Sequence, residues 1–118
     1  MKGFGEKNHL VNNTLSKSKQ KLNIDQLIIK AFQLQAEGKK LEAAKYYSYI
    51  IKQGIKDYRI YSNYGIYLHE LGKHKKAESE LRKAIELNPN YANAYYNLGV
   101  LYIDQGNFKK AEIELKKA

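Results

Sequence analysis

Apolar and small side chains recur at three- and four-residue spacing through much of the chain. Between residues 58 and 91 the first such run is Tyr61, Tyr64, Gly65 and Leu68, and the second is Ala77, Leu81, Ala84, Ile85 and Leu87. This spacing places each run on one side of an α-helix, which turns once every ~3.6 residues. The pattern therefore predicts two amphipathic helices, each with one face to bury.

Glycine and proline mark where these helices end. Gly72 lies between the two runs, where the chain must reverse and a residue without a Cβ suits a left-handed backbone conformation. Asn88, Pro89 and Asn90 follow the second run, and proline cannot continue a helix. The sequence thus predicts a helix, a tight turn, a second helix and then a break.

The same unit recurs every 34 residues. Small residues repeat at this interval in three registers: Gly38, Gly72 and Gly106; Ala43, Ala77 and Ala111; Ala31, Gly65 and Gly99. Agreement of three registers at one period indicates an internal repeat. We divide the chain into a leader, 1–23, and three repeats at 24–57, 58–91 and 92–118, the last of them incomplete.

A single hairpin of two amphipathic helices is too small to cover its own apolar face. Successive hairpins bury that face by stacking, which produces a solenoid. Alanine and glycine at the repeated small positions let neighbouring helices approach closely. The predicted fold is all-α, an α-α superhelix of helix-turn-helix repeats, about 2.8 in number.

Residues 1–23 differ from the repeats in composition. They are rich in Lys, Asn, Ser and Gly and contain five lysines against one glutamate. Such a segment cannot bury enough apolar area to offset the entropy lost on ordering, so a basic, disordered leader is predicted. The whole chain has a formal charge of +9. A surplus of this size also serves solubility, and we do not expect nucleic acid to be a partner.

The sequence lacks the residues that several classes of function require. The sequence has no cysteine, and its three histidines, His9, His69 and His74, are too scattered to form a metal-binding pair. No glycine loop suited to phosphate is present. No apolar run approaches the ~18 residues of a membrane-spanning helix, and the first residues do not form a signal peptide. We expect a cytoplasmic protein that is not an enzyme and binds neither metal nor cofactor.

The third repeat resembles the tetratricopeptide repeat (TPR) family most closely. Leu98, Gly99 and Tyr102 fall on the Leu, Gly and Tyr positions of its 34-residue pattern, and Tyr95 stands where the family usually has tryptophan. The second repeat matches at Tyr61, Gly65, Ala77, Leu81, Ala84 and Pro89. Together the repeats cover about four fifths of the chain.

The first repeat departs more from the family pattern. Lys30, Ile50 and Ile55 stand where the family prefers leucine, alanine and proline. A terminal repeat has a neighbour on one side only, so relaxed constraints are expected there.

The resemblance implies a superhelix whose concave groove, lined by the first helix of each repeat, holds a peptide of a partner protein. The residues expected to contact the peptide are Phe32, Asn63, Ile66, His69, Tyr96, Asn97 and Val100. The same surface is expected to carry Ile28, Ile29, Ser62 and Ile103. Amides on such a surface can bond a peptide backbone while apolar groups accept its side chains.

Two asparagines resemble those of one particular group of TPR proteins. Asn63 and Asn97 stand at the position where the repeats of O-linked N-acetylglucosamine transferases have a ladder of asparagines that holds a peptide backbone. Ile29 stands there in the first repeat, which breaks the ladder. The chaperone-binding clamp of other TPR proteins needs lysines and an arginine where this chain has Ile28, Asn93 and Asn97. The resemblance therefore does not imply binding of an acidic carboxyl-terminal tail.

Two hypotheses about function follow. The first is a scaffold for protein–protein interaction that binds a peptide in the groove. The second is the substrate-recruiting part of a longer enzyme, such as a glycosyltransferase, because the sequence stops at Ala118 within a second helix and without a polar capping helix. Self-association through this uncapped repeat is a further expectation.

Overall fold

The structure is a computed structural model that describes residues 23–118. The described part contains six helices and no strand: α1 (Ile24–Ala36), α2 (Lys40–Lys52), α3 (Tyr58–Glu70), α4 (His74–Leu87), α5 (Ala92–Asp104) and α6 (Phe108–Lys117). The predicted all-α fold of helix-turn-helix repeats is confirmed. The disordered leader predicted for 1–23 lies, except for Asn23, outside the described residues.

The chain divides into two compact units, Met1–Ile55 and Lys56–Ala118, here called unit 1 and unit 2. Unit 1 contains the hairpin of α1 and α2. Asn23 caps α1, because its side chain accepts from the Gln26 amide at 2.9 Å while the Gln26 side chain accepts from the Asn23 amide at 3.0 Å. Ala31 and Ala43, two of the repeated small residues, are completely buried.

Unit 2 consists of two hairpins, α3 with α4 and α5 with α6. Gly72 has a φ of +79° and joins the helices of the first hairpin. Its amide donates to the His69 carbonyl and the Lys73 amide to the Leu68 carbonyl, each at 2.9 Å, which satisfies the last carbonyls of α3. Gly106 repeats this geometry at the end of α5. The glycine turns were predicted from the sequence.

Glycine also brings the two helices of each hairpin together. A Cβ built on Gly65 would lie 2.9 Å from Leu81 Cγ, and one on Gly99 would lie 2.5 Å from Leu115 Cδ2. Both distances are too short for a side chain to fit without movement. α3 therefore contacts α4 through Gly65, and α5 contacts α6 through Gly99, as the repeated small positions predict.

The two hairpins of unit 2 share one apolar core. Its buried members come from all four helices: Leu68, Ala77, Leu81, Leu98, Leu101, Tyr102 and Ala111. Because α5 supplies three of these residues, it covers the hairpin of α3 and α4 while it also packs on α6.

Arg82 links three helices at the edge of this core. Its Nη2 on α4 donates to the Tyr102 hydroxyl on α5 and to Glu114 Oε2 on α6, each at 3.0 Å. The Tyr102 hydroxyl in turn donates to Glu78. The contact between Arg82 and Glu114 joins the two hairpins by a charge-assisted hydrogen bond.

The second helix of each hairpin in unit 2 begins with basic residues. Lys75 and Lys76 lie in the first turn of α4, and Lys109 and Lys110 in the first turn of α6, and neither first turn contains an acidic residue. A helix N-terminus carries a partial positive charge, so these lysines are poorly placed for helix stability.

Candidate functional site

The candidate binding surface in unit 2 is the side of α3 and α5 that is turned away from α4 and α6. Gly65 lies against α4, and a helix turns about 100° per residue, so Asn63, two residues earlier, points to the opposite side. The same relation holds between Gly99, which lies against α6, and Asn97. We call this surface the α3–α5 face and define it by Asn63, Ile66, Tyr67, Glu70, Asn97, Val100 and Asp104.

Four of the predicted groove residues lie on this face. Asn63 and Asn97 occupy equivalent places one repeat apart, and both are half-buried. Ile66 and Val100 lie three residues further along their helices and are also half-buried. The structure thus brings two amides and two aliphatic side chains to one side of one compact unit.

His69, also predicted for the groove, ties the two helices of this face together. Its Nε2 lies 2.6 Å from Asp104 Oδ2 on α5, a distance at which the imidazole donates to the carboxylate. The His69 ring is 5.6 Å from that of His74 on α4. His69 therefore connects α3 to α5 at the end of the face nearest the glycine turns.

Tyr96 is the most exposed of the predicted contact residues, with 56% of its surface accessible. Its equivalent in α3, Ser62, was predicted to line the groove and is completely buried, so that prediction is wrong. Ile28 of α1, predicted on the same surface, is buried as well. The error has one physical cause: residues on the flank of a first helix are covered by packing, whereas the sequence shows only that they lie near the exposed side.

Phe32 belongs to unit 1 and is considered with that unit alone. It is half-buried on α1, and its ring lies 6.4 Å from that of Tyr47 on α2. The Tyr47 hydroxyl donates to Gln35 Oε1 at 3.2 Å. That Phe32 shares one groove with the residues of unit 2 stays a prediction.

Acidic and phenolic groups complete the α3–α5 face, and the sequence analysis missed them. Glu70 and Asp104 lie two turns beyond Asn63 and Asn97, and both are exposed. Burial, with nearby Tyr64 and Glu70, raises the pKa of Tyr67, so its hydroxyl stays a neutral donor near pH 7. The seven-residue step from each asparagine to an acid is the sequence signal that could have revealed this pattern.

Asp57 and Arg59 form an ion pair at the beginning of α3. Arg59 Nη2 lies 2.7 Å from Asp57 Oδ2, and the Arg59 amide donates to Asp57 Oδ1 at 2.8 Å. Burial alone would raise the pKa of Asp57, but the hydrogen bonds and charge of Arg59 outweigh it and lower that pKa. Asp57 therefore caps α3 as a carboxylate.

Two other kinds of site were sought in the described part of the chain. Among residues 23–118 no group of three His, Asp or Glu side chains is arranged to hold a metal ion. None of the six helices is both long enough and apolar enough to cross a bilayer.

Comparison with known proteins finds a family match in the second half of the chain. Residues 60–111, from α3 to the beginning of α6, match the family model described as "TPR repeat". This segment is therefore similar to TPR repeats. The matched TPR residues include Gly65, Gly99 and both asparagines of the α3–α5 face. No curated protein sequence matches the chain.

Solved structures agree with the TPR fold. A crystal structure of MamA is 23% identical, with a TM-score of 0.78, over 97% of this chain and 66% of that one. The TPR2B domain of yeast Sti1 in complex with a pHsp70 peptide is 26% identical, with a TM-score of 0.70, over 79% of this chain and 74% of that one.

A third similar structure is the second TPR of Spaghetti (RPAP3), bound to the HSP90 peptide SRMEEVD. It is 19% identical, with a TM-score of 0.70, over 86% of this chain and 94% of that one. The chain spans less than two thirds of the length of the MamA structures it matches, 59–66% in three of them.

Proposed function

We propose that this chain is a scaffold for protein–protein interaction that binds an extended segment of a partner polypeptide on the α3–α5 face. The role requires no catalytic step, and we place it in the cytoplasm. Two structures of similar fold are complexes with peptides, one of yeast Sti1 and one of RPAP3, and they support this class of function.

The two equivalent asparagines carry the proposal. Asn63 and Asn97 lie on the side of α3 and α5 that faces away from α4 and α6, one repeat apart. An amide side chain offers one acceptor oxygen and two donor hydrogens, which match the alternating groups of an extended backbone. Two such amides in register can hold a peptide at two points, as the resemblance to the repeats of O-linked N-acetylglucosamine transferases implies.

Aliphatic side chains beside the amides supply the apolar part of the contact. Ile66 and Val100 are half-buried and equivalent in the two repeats. Each offers a patch beside its asparagine, so the bound segment would place an apolar side chain at each patch. Burial of apolar area contributes about 25 cal/mol per Å², which makes such patches an effective second contact.

The charges on the face favour a partner segment that is not acidic. Glu70 and Asp104 are exposed at one end of the α3–α5 face, and Asn93 and Asn97 stand where the chaperone clamp would need basic residues. An acidic peptide such as SRMEEVD, the HSP90 peptide bound by RPAP3, would meet like charge there. We expect the partner segment to carry lysine or arginine at the end that lies near Glu70.

Peptide selection tests this proposal and requires no purified partner. Random 12-residue peptides displayed on phage would be selected against the full chain, and enriched peptides measured by isothermal titration calorimetry. The Asn63→Ala/Asn97→Ala variant should lose at least about tenfold in affinity. Asn90→Ala, which alters an exposed asparagine in the turn before α5, is the matched control and should bind normally.

A second selection tests whether the α3–α5 face prefers basic peptides. Selection against Glu70→Lys should shift the enriched peptides from basic towards acidic sequences. Equal binding by the double asparagine variant, or enrichment no better than against a blank support, would refute the proposed site.

A further inference from the structure

The tight turns of the two hairpins in unit 2 lie side by side at one end of the unit. His69, in the last turn of α3, bonds Asp104 at the end of α5, so the turns that follow these two helices are neighbours. The glycine in each turn has nearly the same φ, +79° and +76°, and reverses the chain in the same way. We call residues 70–76 and 104–110 together the turn edge.

The excess positive charge of unit 2 lies in the turn edge. Unit 2 contains eleven Lys and Arg residues and eight Asp and Glu residues. The turn edge contains five of the basic residues and two of the acids. The rest of unit 2, with six basic and six acidic residues, is balanced. The basic residues of the turn edge are Lys73, Lys75, Lys76, Lys109 and Lys110.

The two acids of the turn edge do not pair with these lysines. Glu70 and Asp104 belong to the α3–α5 face, whereas the lysines lie at the beginning of α4 and α6. Lys75, Lys76 and Lys109 are exposed, and none of them has an ion-pair partner among residues 23–118. By contrast, one lysine further along each of these helices pairs with a glutamate three residues before it, at 3.0 and 3.6 Å.

Lysine at the beginning of a helix has a cost. It opposes the partial positive charge of the helix N-terminus and lowers the stability of the helix. Both α4 and α6 begin in this way, and neither first turn contains an acidic residue. Because these charges cost stability and form no ion pair within the described part of the chain, an anion outside the chain is the partner that they fit.

Leu71 adds an apolar side chain to the turn edge. It follows α3 directly, between the two turns of lysine-rich sequence and the end of the helix, and it exposes 51% of its surface. The equivalent residues of the other repeats are Glu37 and Gln105, and both are exposed. No neighbouring hairpin covers this position in any repeat, so the stacking of repeats does not account for a leucine here.

We propose that the turn edge binds the surface of an anionic lipid bilayer, with its lysines against the phosphate groups and Leu71 among the headgroups. Clustered lysines bind such surfaces through charge, and an exposed apolar side chain adds burial at the interface. A nucleic acid would also attract the lysines, but leucine has no ring on which a base can stack. Since neither these lysines nor Leu71 belongs to the α3–α5 face, the inference stands independently of the proposed function.

Co-sedimentation of the 118-residue chain with lipid vesicles tests the proposal. Vesicles of phosphatidylcholine with about 30% phosphatidylserine should bind the chain, and vesicles of phosphatidylcholine alone should not. Binding should weaken at least about tenfold when the ionic strength rises from about 0.1 to 0.5 M, because salt screens the attraction between exposed charges.

Charge variants show whether the turn edge or another basic part of the chain binds the vesicles. Lys75→Gln/Lys109→Gln removes one lysine from each turn and should weaken binding at least about tenfold. Its melting temperature should be unchanged or higher, since it removes positive charge from two helix starts, so unfolding would not explain weaker binding. Lys56→Gln/Lys116→Gln removes the same charge at exposed positions outside the turn edge and is the matched control, which should bind nearly as well as the unaltered chain.

A fluorescent reporter shows whether Leu71 enters the interface. The chain contains no tryptophan, so Leu71→Trp introduces a single one. Its emission should move to shorter wavelength when anionic vesicles are added, as the indole leaves water. Leu87→Trp is the matched control, because Leu87 is 39% exposed and lies at the other end of α4. Its emission should stay the same.

Four results would overturn the proposal. One is the absence of binding to the phosphatidylserine vesicles. The second is equal binding by Lys75→Gln/Lys109→Gln and its matched control, because the lysines of residues 1–22 or the charge of the whole chain would then account for it. The third is unchanged emission of Leu71→Trp on bound vesicles. The fourth is tighter binding of fluorescein-labelled poly(U) RNA, lost in the same lysine variant, which would assign the turn edge to nucleic acid.

Discussion

Arg82 on α4 and Glu114 on α6 meet at 3.0 Å, although 32 residues separate them in the sequence. The same Arg82 nitrogen bonds the Tyr102 hydroxyl on α5. Burial alone would lower the pKa of Arg82, but the hydrogen bonds to Glu114 and Tyr102 outweigh it and raise that pKa. Arg82 is therefore positively charged at any ordinary pH, and its hydrogen bonds join the second hairpin of unit 2 to the first.

Arg82→Ala should destabilise the chain by about 1–3 kcal/mol, because it leaves a carboxylate that is only 6% exposed without its main donor. Urea denaturation monitored by circular dichroism measures the free energy of unfolding. The arginine is itself 40% exposed, which limits the effect. The double variant Arg82→Ala/Glu114→Gln should recover part of the loss, and no recovery would argue against this contact.

We expect the free energy of unfolding to fall at high pH because of the Tyr102 hydroxyl. Burial, with the nearby Glu78 carboxylate, raises the pKa of Tyr102. A raised pKa in the folded state contributes stability below the unfolded value near pH 10, and this contribution is lost as pH rises further. Tyr102→Phe should cost about 1 kcal/mol at pH 7 and show a weaker decline in stability between about pH 10 and 12. Urea midpoints measured across this range test both expectations.

Two glycines of unit 2 should respond differently to the same substitution. Gly65→Ala brings a methyl group against Leu81, which is completely buried, so we expect a loss of about 1–3 kcal/mol. Gly99→Ala meets Leu115, which is partly exposed and can turn aside. Alanine favours the helix by about 1 kcal/mol at both positions, and because Leu115 can move, this gain should leave Gly99→Ala nearly neutral. A larger loss of melting temperature for Gly99→Ala than for Gly65→Ala would contradict this account.

Asp57 should make unit 2 sensitive to acid. Its pKa is lowered in the folded state, so the stability it contributes is present above about pH 4 and lost as pH falls through the folded value. Asp57→Asn keeps a capping acceptor but removes the ionisable group, and it should show a smaller loss of stability between about pH 4 and 2. Asp57→Ala should cost about 1 kcal/mol at pH 7 as well. Thermal melts at several pH values distinguish the two variants.

The helical hairpins could be predicted from the sequence because they depend on the spacing of apolar and small residues along the chain. The turns at Gly38, Gly72 and Gly106 and the close contacts at Gly65 and Gly99 follow from helical period and residue size. Gly54, with a φ of +82°, was not recognised as the end of α2, because in the other complete repeat Asn88 and Pro89 mark that place.

The candidate binding surface could be predicted only in part from the sequence. Asn63 and Asn97 were assigned to one surface through the resemblance to the TPR family, and their positions relative to Gly65 and Gly99 place them on one side of α3 and α5 in the structure. Ser62 was misplaced, since a residue beside an exposed one can still be covered by a neighbouring helix. The pair of His69 and Asp104 was missed because a bond between helices depends on rotamers that spacing along one helix does not specify.

The lysine-rich first turns of α4 and α6 have a consequence for behaviour in salt. Positive side chains there oppose the partial positive charge of each helix start, and the chain as a whole is strongly cationic. Dissolved ions screen these repulsions over about 10 Å at 0.1 M ionic strength. Moderate salt should therefore weaken these repulsions and stabilise the first turns of α4 and α6.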